Sequence, residues 1–166
     1  MITAEYVHTM ARYNEWQNKS IYGAASKLSR EARQEDRGAF FGSIHCTLSH
    51  VLWGDQIWMY RFADTPKPAV DGIKASTEMV LSWEDLCEQR VAFDEIILEW
   101  ARSVSNDDLK GDLTWYSGAA GKEITKPLGF LITHMFNHQT HHRGQVHAMI
   151  TACGEKTDDT DIFYLK

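Results

Sequence analysis

The stretch Pro127-Leu-Gly-Phe-Leu131-Ile-Thr-His134-Met-Phe-Asn-His138-Gln-Thr-His141-His142-Arg-Gly-Gln145-Val-His147-Ala-Met149-Ile-Thr-Ala-Cys-Gly154 decides the fold. Proline near the start and glycine at the end follow the asymmetry of helix termini, so it reads as one long helix. Each residue of an ideal helix advances about 100°. With His138 as zero, His142 falls at about 40°, Gln145 at about −20°, His134 at about −40° and His141 at about −60°. Leu131 and Met149 lie near 20°, on the same line, while His147 points away at about 180°. Four histidines therefore share the face that carries core-type residues. Imidazoles placed among apolar neighbours must be satisfied, and an i,i+4 pair can chelate one metal ion. His138/His142 and His134/His138 both have that spacing, and periodicity does not choose between them.

Three further helices precede this one. Ala4 to about Leu28 carries Met10, Tyr13, Ile21, Ala24, Ala25 and Leu28 at helical spacing. Asn14 and Gln17 fall within that stripe, and buried amides need partners, in an interhelical network or a polar site. After the charged stretch Ser29 to Arg37, a second helix is expected from about Phe41 to Phe62, with Pro66 and Pro68 ending it in a loop. A third starts after Ser82, a plausible N-cap, and repeats Leu86, Phe93, Ile97, Trp100 and Val104. Leu113 to Thr125, with the turn Ser117-Gly-Ala-Ala-Gly121, reads as a small β-hairpin. The tail ends in Ile162-Phe-Tyr-Leu165, which is expected to pack back on the body. Four long helices in one domain, residues 1–166, predict an all-α four-helix bundle with the hairpin between helices three and four.

On the second helix His45, Ser49 and Gln56 cluster within about 40° and read as the solvated stripe. The rest is apolar or aromatic, including Leu48, Val51, Leu52, Trp53, Trp58 and Met59, and a helix apolar nearly all round is a buried one. His50 lies about 100° or more from the solvated stripe, which makes it the inward histidine and His45 the outward one. Asp55 is the exception on the apolar side; it can orient a ligand imidazole, pair with Arg143, or serve a local surface or capping role. Cys46 reads as a small hydrophobe before a ligand. A Cys46–His50 nucleophile at i,i+4 is a further arrangement of a different class. The tryptophans are assigned mostly to the core.

Composition limits the partners. A chain of 166 residues suits one globular domain, and 43% hydrophobic with 24% charged residues excludes disorder. Seventeen Lys+Arg against twenty-three Asp+Glu give a net charge of −6, and His141-His142-Arg143 is the longest basic cluster, so nucleic acid is not an expected partner. No apolar run approaches the ~18–20 residues that cross a bilayer, and Met1 to Met10 lack the parts of a signal peptide. Cys46, Cys87 and Cys153 form no CxxC pair and are odd in number, as expected of reduced thiols in a cytoplasmic protein.

These strings resemble the DinB family of metalloenzymes. The resemblance rests on Gly42-Ser-Ile-His45-Cys46-Thr-Leu-Ser-His50-Val-Leu-Trp53-Gly-Asp55-Gln-Ile-Trp58, and on His134-Met-Phe-Asn-His138-Gln-Thr-His-His142-Arg-Gly-Gln145. Ala11-Arg-Tyr-Asn14-Glu-Trp16-Gln-Asn18 and the Thr160-Asp161 region are also similar, so it covers almost the whole chain.

The resemblance implies an up-down four-helix bundle, often a homodimer, with a divalent metal held by three histidines. Carried onto this chain, the ligands are His50, His138 and His142, leaving His134 and His141 as pocket residues at best. Three imidazoles leave a metal position open, the arrangement of catalytic rather than closed structural sites. Zinc or nickel suits such a donor set first, with manganese, iron or copper as further candidates. Relatives of the fold include thiol-dependent S-transferases and a maleylpyruvate isomerase that use bacillithiol or mycothiol. The implied chemistry is attack of a metal-activated low-molecular-weight thiol on a small electrophile. A metal-dependent hydrolase and a non-catalytic metal-binding stress-response module are the alternatives. Asp55, His141, Gln145 and Asn14 are the pocket candidates.

Overall fold

Side-chain caps set where the helices begin. A computed structural model describes residues 1–118 and 120–166. Helix α1 (Ala4–Ala25) starts where Thr3 Oγ1 accepts from the Tyr6 amide, and α5 (Trp83–Ser103) where Ser82 Oγ accepts from Asp85. Helix α3 (Ile44–Ala63) starts at the Ser43 cap, three residues later than the periodicity suggests. Gly42 takes a left-handed φ of 75°, which breaks the helix there and leaves Phe41 outside it. Helix α6 (Leu128–Ala152) follows Pro127 directly. Two short helices, α2 (Arg30–Gln34) and α4 (Ile73–Ser76), bring the count to six among the described residues, against the four expected. Five and four residues are too few to show a helical period, so neither was legible by pattern.

The protein is mostly helical. Helix α1 packs on α5 and α6, and α3 packs on the same two. Ile21, Leu48, Leu52, Leu86, Ile97, Ile132, Met135 and Ile150 belong to one buried cluster drawn from all four long helices. The hairpin lies between α5 and α6, as strands β1 (Asp112–Ser117) and β2 (Lys122–Pro127) paired antiparallel with Trp115 opposite Ile124. Ala119, in the expected turn, lies outside the described residues. The tail lies along α1 through polar contacts: the Gln17 amide donates to the Asp159 carbonyl at 2.9 Å and Tyr13 Oη to that of Thr160 at 2.7 Å. Its apolar tip does not pack inward as expected, for Phe163 is 74% exposed.

A polar layer crosses the core. Arg90 of α5 pairs with Asp55 of α3 at 2.6 Å and with Asp94 at 2.9 Å. Asp94 accepts from Asn18 of α1 at 2.9 Å, and Gln139 of α6 donates to Asp55 at 2.8 Å. Arg143 of α6 donates to the side-chain oxygens of Asn14 and Asn18. Asp55 therefore pairs with Arg90, not with Arg143, and Asn14 belongs to the interhelical network. Burial opposes the charge on Arg90, but Asp94 and Asp55 outweigh it and hold the guanidinium above its usual range.

The outward assignment of His45 and Ser49 is wrong. Both are buried, because the segment after α3 folds back over that face. His45 Nε2 donates to the Val80 carbonyl at 2.7 Å, and Ser49 Oγ to that of Ser76 at 2.7 Å. A polar stripe on a helix cannot by itself distinguish water from a loop as its partner. The tryptophans are mostly core, as expected: Trp58 and Trp83 are buried in it and Trp100 and Trp115 pack against it, whereas Trp16 and Trp53 lie outside that cluster.

Replacing Arg90 with Met leaves two buried carboxylates without their cation. A loss of about 3–5 kcal/mol in urea unfolding is expected. A loss below about 1 kcal/mol would show that the guanidinium is not what holds the layer together.

Candidate metal centre

His50 of α3 and His138 and His142 of α6 each bring one ring nitrogen to a common point, with those atoms all within 4.8 Å of one another. His50 Nε2 and His138 Nε2 are 3.1 Å apart. Two nitrogens bound about 2.0–2.1 Å from a single ion lie about 2.8–3.4 Å apart, so this spacing fits one shared cation. Among the described residues no fourth His, Cys, Asp or Glu joins the group.

Each ring is held differently. Ser76 Oγ donates to the Ile73 carbonyl at 2.6 Å and therefore accepts from His50 Nδ1 at 2.7 Å. That fixes the proton on Nδ1 and leaves the Nε2 lone pair facing the centre. The Gln145 side-chain oxygen accepts from His142 Nδ1 at 2.8 Å, with the same consequence. His138 has no such partner: its Nδ1 is buried without a hydrogen bond. Its ring is placed by contact instead. A Cβ on Gly54 would lie 2.8 Å from His138 Cε1, so glycine at 54 is what lets the imidazole lie against α3. Phe41, released from the helix by Gly42, covers His50 with ring centroids 3.9 Å apart and approaches His142 to 5.2 Å. Trp53 flanks His50 on another side at 5.7 Å.

Burial lowers the pKa of all three rings. It pushes His50 down to about 4, with the neighbouring His142 adding to the effect. Burial pushes His138 down to about 3, again reinforced by the adjacent histidines. It lowers His142 as well, against the opposing bond to Gln145. Three neutral imidazoles at neutral pH are the ionisation state that metal ligation needs.

The other sequence candidates divide. Gln145 supports His142 and donates through Nε2 to His141 Nε2 at 3.3 Å, which leaves His141 on the exposed rim. Asp55 and Asn14 lie in the polar layer, bonded to Arg90 and Arg143, and touch none of the three rings. Cys46 stands outside the group, and both nitrogens of His50 are engaged elsewhere. His147 bonds Thr157 through Nδ1 at 2.9 Å. Sequence reasoning missed Ser76, Gly54 and Phe41. Ser76 is distant in sequence from His50, while a Gly-Asp pair in an aromatic helix was the one available hint of a close approach at Gly54.

A helical protein that gathers three neutral imidazole nitrogens from two adjacent helices belongs to the class with a candidate histidine metal centre. The family model for the DinB family matches residues 1–166, and the chain belongs to that family. It is 26% identical to Protein DinB of Bacillus subtilis (strain 168) over 168 residues, covering 95% of this chain and 92% of that one.

Two outcomes follow from the geometry. In the unfolded chain the imidazoles take up protons near 6.5, whereas in the fold His50 and His138 resist down to about 4 and about 3. The contribution of these rings to stability is thus complete above pH 6.5 and falls as the pH drops through that window. Urea midpoints of metal-free protein should decline across it, and the decline should be shallower in His138→Gln. Gly54→Ala should displace the His138 ring and lower zinc affinity by roughly tenfold or more while helicity is kept, as zinc titration against a chelating dye would read. Unchanged zinc affinity would show that the contact with α3 does not place that ligand.

Proposed function

We propose that the chain is a divalent-metal enzyme in which His50, His138 and His142 hold the ion and the reaction is transfer to a low-molecular-weight thiol. The observation that carries this reading is the three-nitrogen donor set without a fourth protein ligand. Bound there, zinc or nickel, or else manganese, iron or copper, would supply Lewis acidity that lowers the pKa of a thiol at the open position.

The residues of the chain divide the work. Ser76 and Gln145 hold protons on the outer nitrogens of His50 and His142, which leaves their inner lone pairs free to hold an ion. Phe41 and Trp53 cover His50 on two sides and offer apolar surface to an electrophile. No carboxylate of the described residues joins the centre, so the nucleophile must be one that charge alone can activate. A thiol, with an ordinary pKa near ~8.5, needs a far smaller shift than water at ~15.7, and this favours thiol transfer over hydrolysis. In the transfer the thiolate sulfur forms a bond to the electrophilic carbon. The leaving group departs with its bonding pair, and the thiol proton passes to solvent.

The same reading takes residues 1–166 as one domain and the four long helices as an up-down bundle, supported by α1 and α3 each packing on both α5 and α6. It also takes the chain as a homodimer and, with three unpaired cysteines, as a cytoplasmic protein acting on small molecules. No helix of the described residues is long and apolar enough to cross a membrane.

The test is metal content per chain on untagged protein, with His50→Ala, His138→Ala and His142→Ala beside it. Near-stoichiometric metal in the parent and its loss in all three variants is expected, followed by thiol-dependent consumption of a model electrophile. Ester hydrolysis without thiol would move the assignment to hydrolysis. If helicity melts when metal is stripped, the ion is structural. Absence of metal after reconstitution would overturn the reading.

A further inference from the structure

About two helical turns from the candidate centre lies a cation that no carboxylate of the described residues neutralises. Arg61, near the end of α3, stacks its guanidinium 4.6 Å from the Trp58 ring and 5.5 Å from that of Trp115 on the hairpin. The two indoles meet edge to face at 5.6 Å and fix the plane in which the guanidinium lies. Among the described residues no carboxylate forms a salt bridge with it and no acceptor takes its N–H groups. Burial lowers its pKa, with no acid opposing. Stacking accounts for a flat cation at this place, but not for the missing anion in a chain with a net charge of −6.

His134 connects this cation to the centre. Its ring meets Trp58 at 5.2 Å and His138 at 6.0 Å, and its pKa is lowered by burial and by Arg61. A neutral imidazole can donate to the same anion that Arg61 would bind. On α6 His134 is one helical turn from His138. On α3 Arg61 is seven residues from Gly54, which the His138 ring touches, so the cation stands roughly 10 Å from the centre along the helix.

We propose that Arg61, with His134, is a carboxylate-recognition subsite that positions the anionic end of the thiol or electrophile whose other end reaches the three-histidine centre. This rests on the thiol-transfer reading and names a feature of its substrate: a planar carboxylate, suited to the forked donors of a stacked guanidinium.

The experiment compares mercaptohexanoate, whose extended chain spans a distance of this order, with the neutral mercaptohexanol. Both are titrated into cobalt(II)-loaded protein, with thiolate ligation read by its charge-transfer absorption. Hexanoate binding to metal-free protein is measured by calorimetry alongside. The parent should prefer the carboxylate thiol by about tenfold or more. Arg61→Met should abolish that preference and leave mercaptohexanol affinity unchanged; Arg61→Lys should keep part of it, having the charge without the fork. Circular dichroism checks that the variants stay folded. Equal affinity for the two thiols in the parent, or a preference that survives in Arg61→Met, would overturn the subsite. If neither thiol ligates cobalt, the thiol reading fails, and hexanoate binding that does or does not depend on Arg61 still decides this proposal.

Discussion

Asp55, Arg90, Asp94 and Arg143 are buried together, and with Asn14, Asn18 and Gln139 they join α1, α3, α5 and α6 in one hydrogen-bonded layer. Two positive and two negative charges balance, which makes the burial tolerable, and each carboxylate accepts from an amide as well as from Arg90. Replacing such a layer with hydrocarbon is often neutral or stabilising, so its presence is weak evidence for stability. Its geometric consequence is clearer. Charge pairs have fixed distances and directions, whereas apolar faces can slide, and a layer that touches all four long helices fixes how they stand against one another.

That constraint sits immediately beneath the candidate metal centre. Gly54 precedes Asp55, His138 precedes Gln139 and His142 precedes Arg143. Neighbouring residues on a helix differ by about 100°, so one side chain of each pair can face the groove while the next enters the core. The layer thus fixes the turns of α3 and α6 that carry the three clustered histidines. This matters most for His138, which lacks a hydrogen bond on Nδ1 and depends on the spacing of the two helices for its place.

What the sequence revealed depended on whether the relevant partner was local. The long helices, the Ser82 cap and the hairpin are written in nearby residues, and their limits fall close to those expected. The inward face of α6 was legible because a regular helix converts spacing into direction. His45 and Ser49 were misplaced because their partners are the carbonyls of Val80 and Ser76, in a segment with no periodicity of its own. Asp55 stood out as anomalous, but none of the roles open to it named Arg90, which looks in sequence like one more charged residue of the third helix. Spacing left two i,i+4 pairs on α6. The structure separates them: His142 reaches the group with His50 and His138, whereas His134 turns toward Trp58.

The segment between α3 and α5 links these observations. Its carbonyls at Val70, Ser76 and Val80 accept from Trp53, Ser49 and His45, and Ser76 Oγ accepts from His50, so one face of α3 is stitched to it over more than two turns. His50 is therefore anchored by a short helix and its flanking loop, His142 by a residue of its own helix, and His138 by helix–helix contact. The three rings thus have three different local supports above the one layer that sets the two helices. A change in the segment after α3 reaches the centre through His50 alone, leaving the i,i+4 pair of α6 intact as a two-nitrogen remnant. Phe41 and the exposed His141 lie against the cluster without supplying any of the three supports, so either can shift while the three nitrogens keep their places.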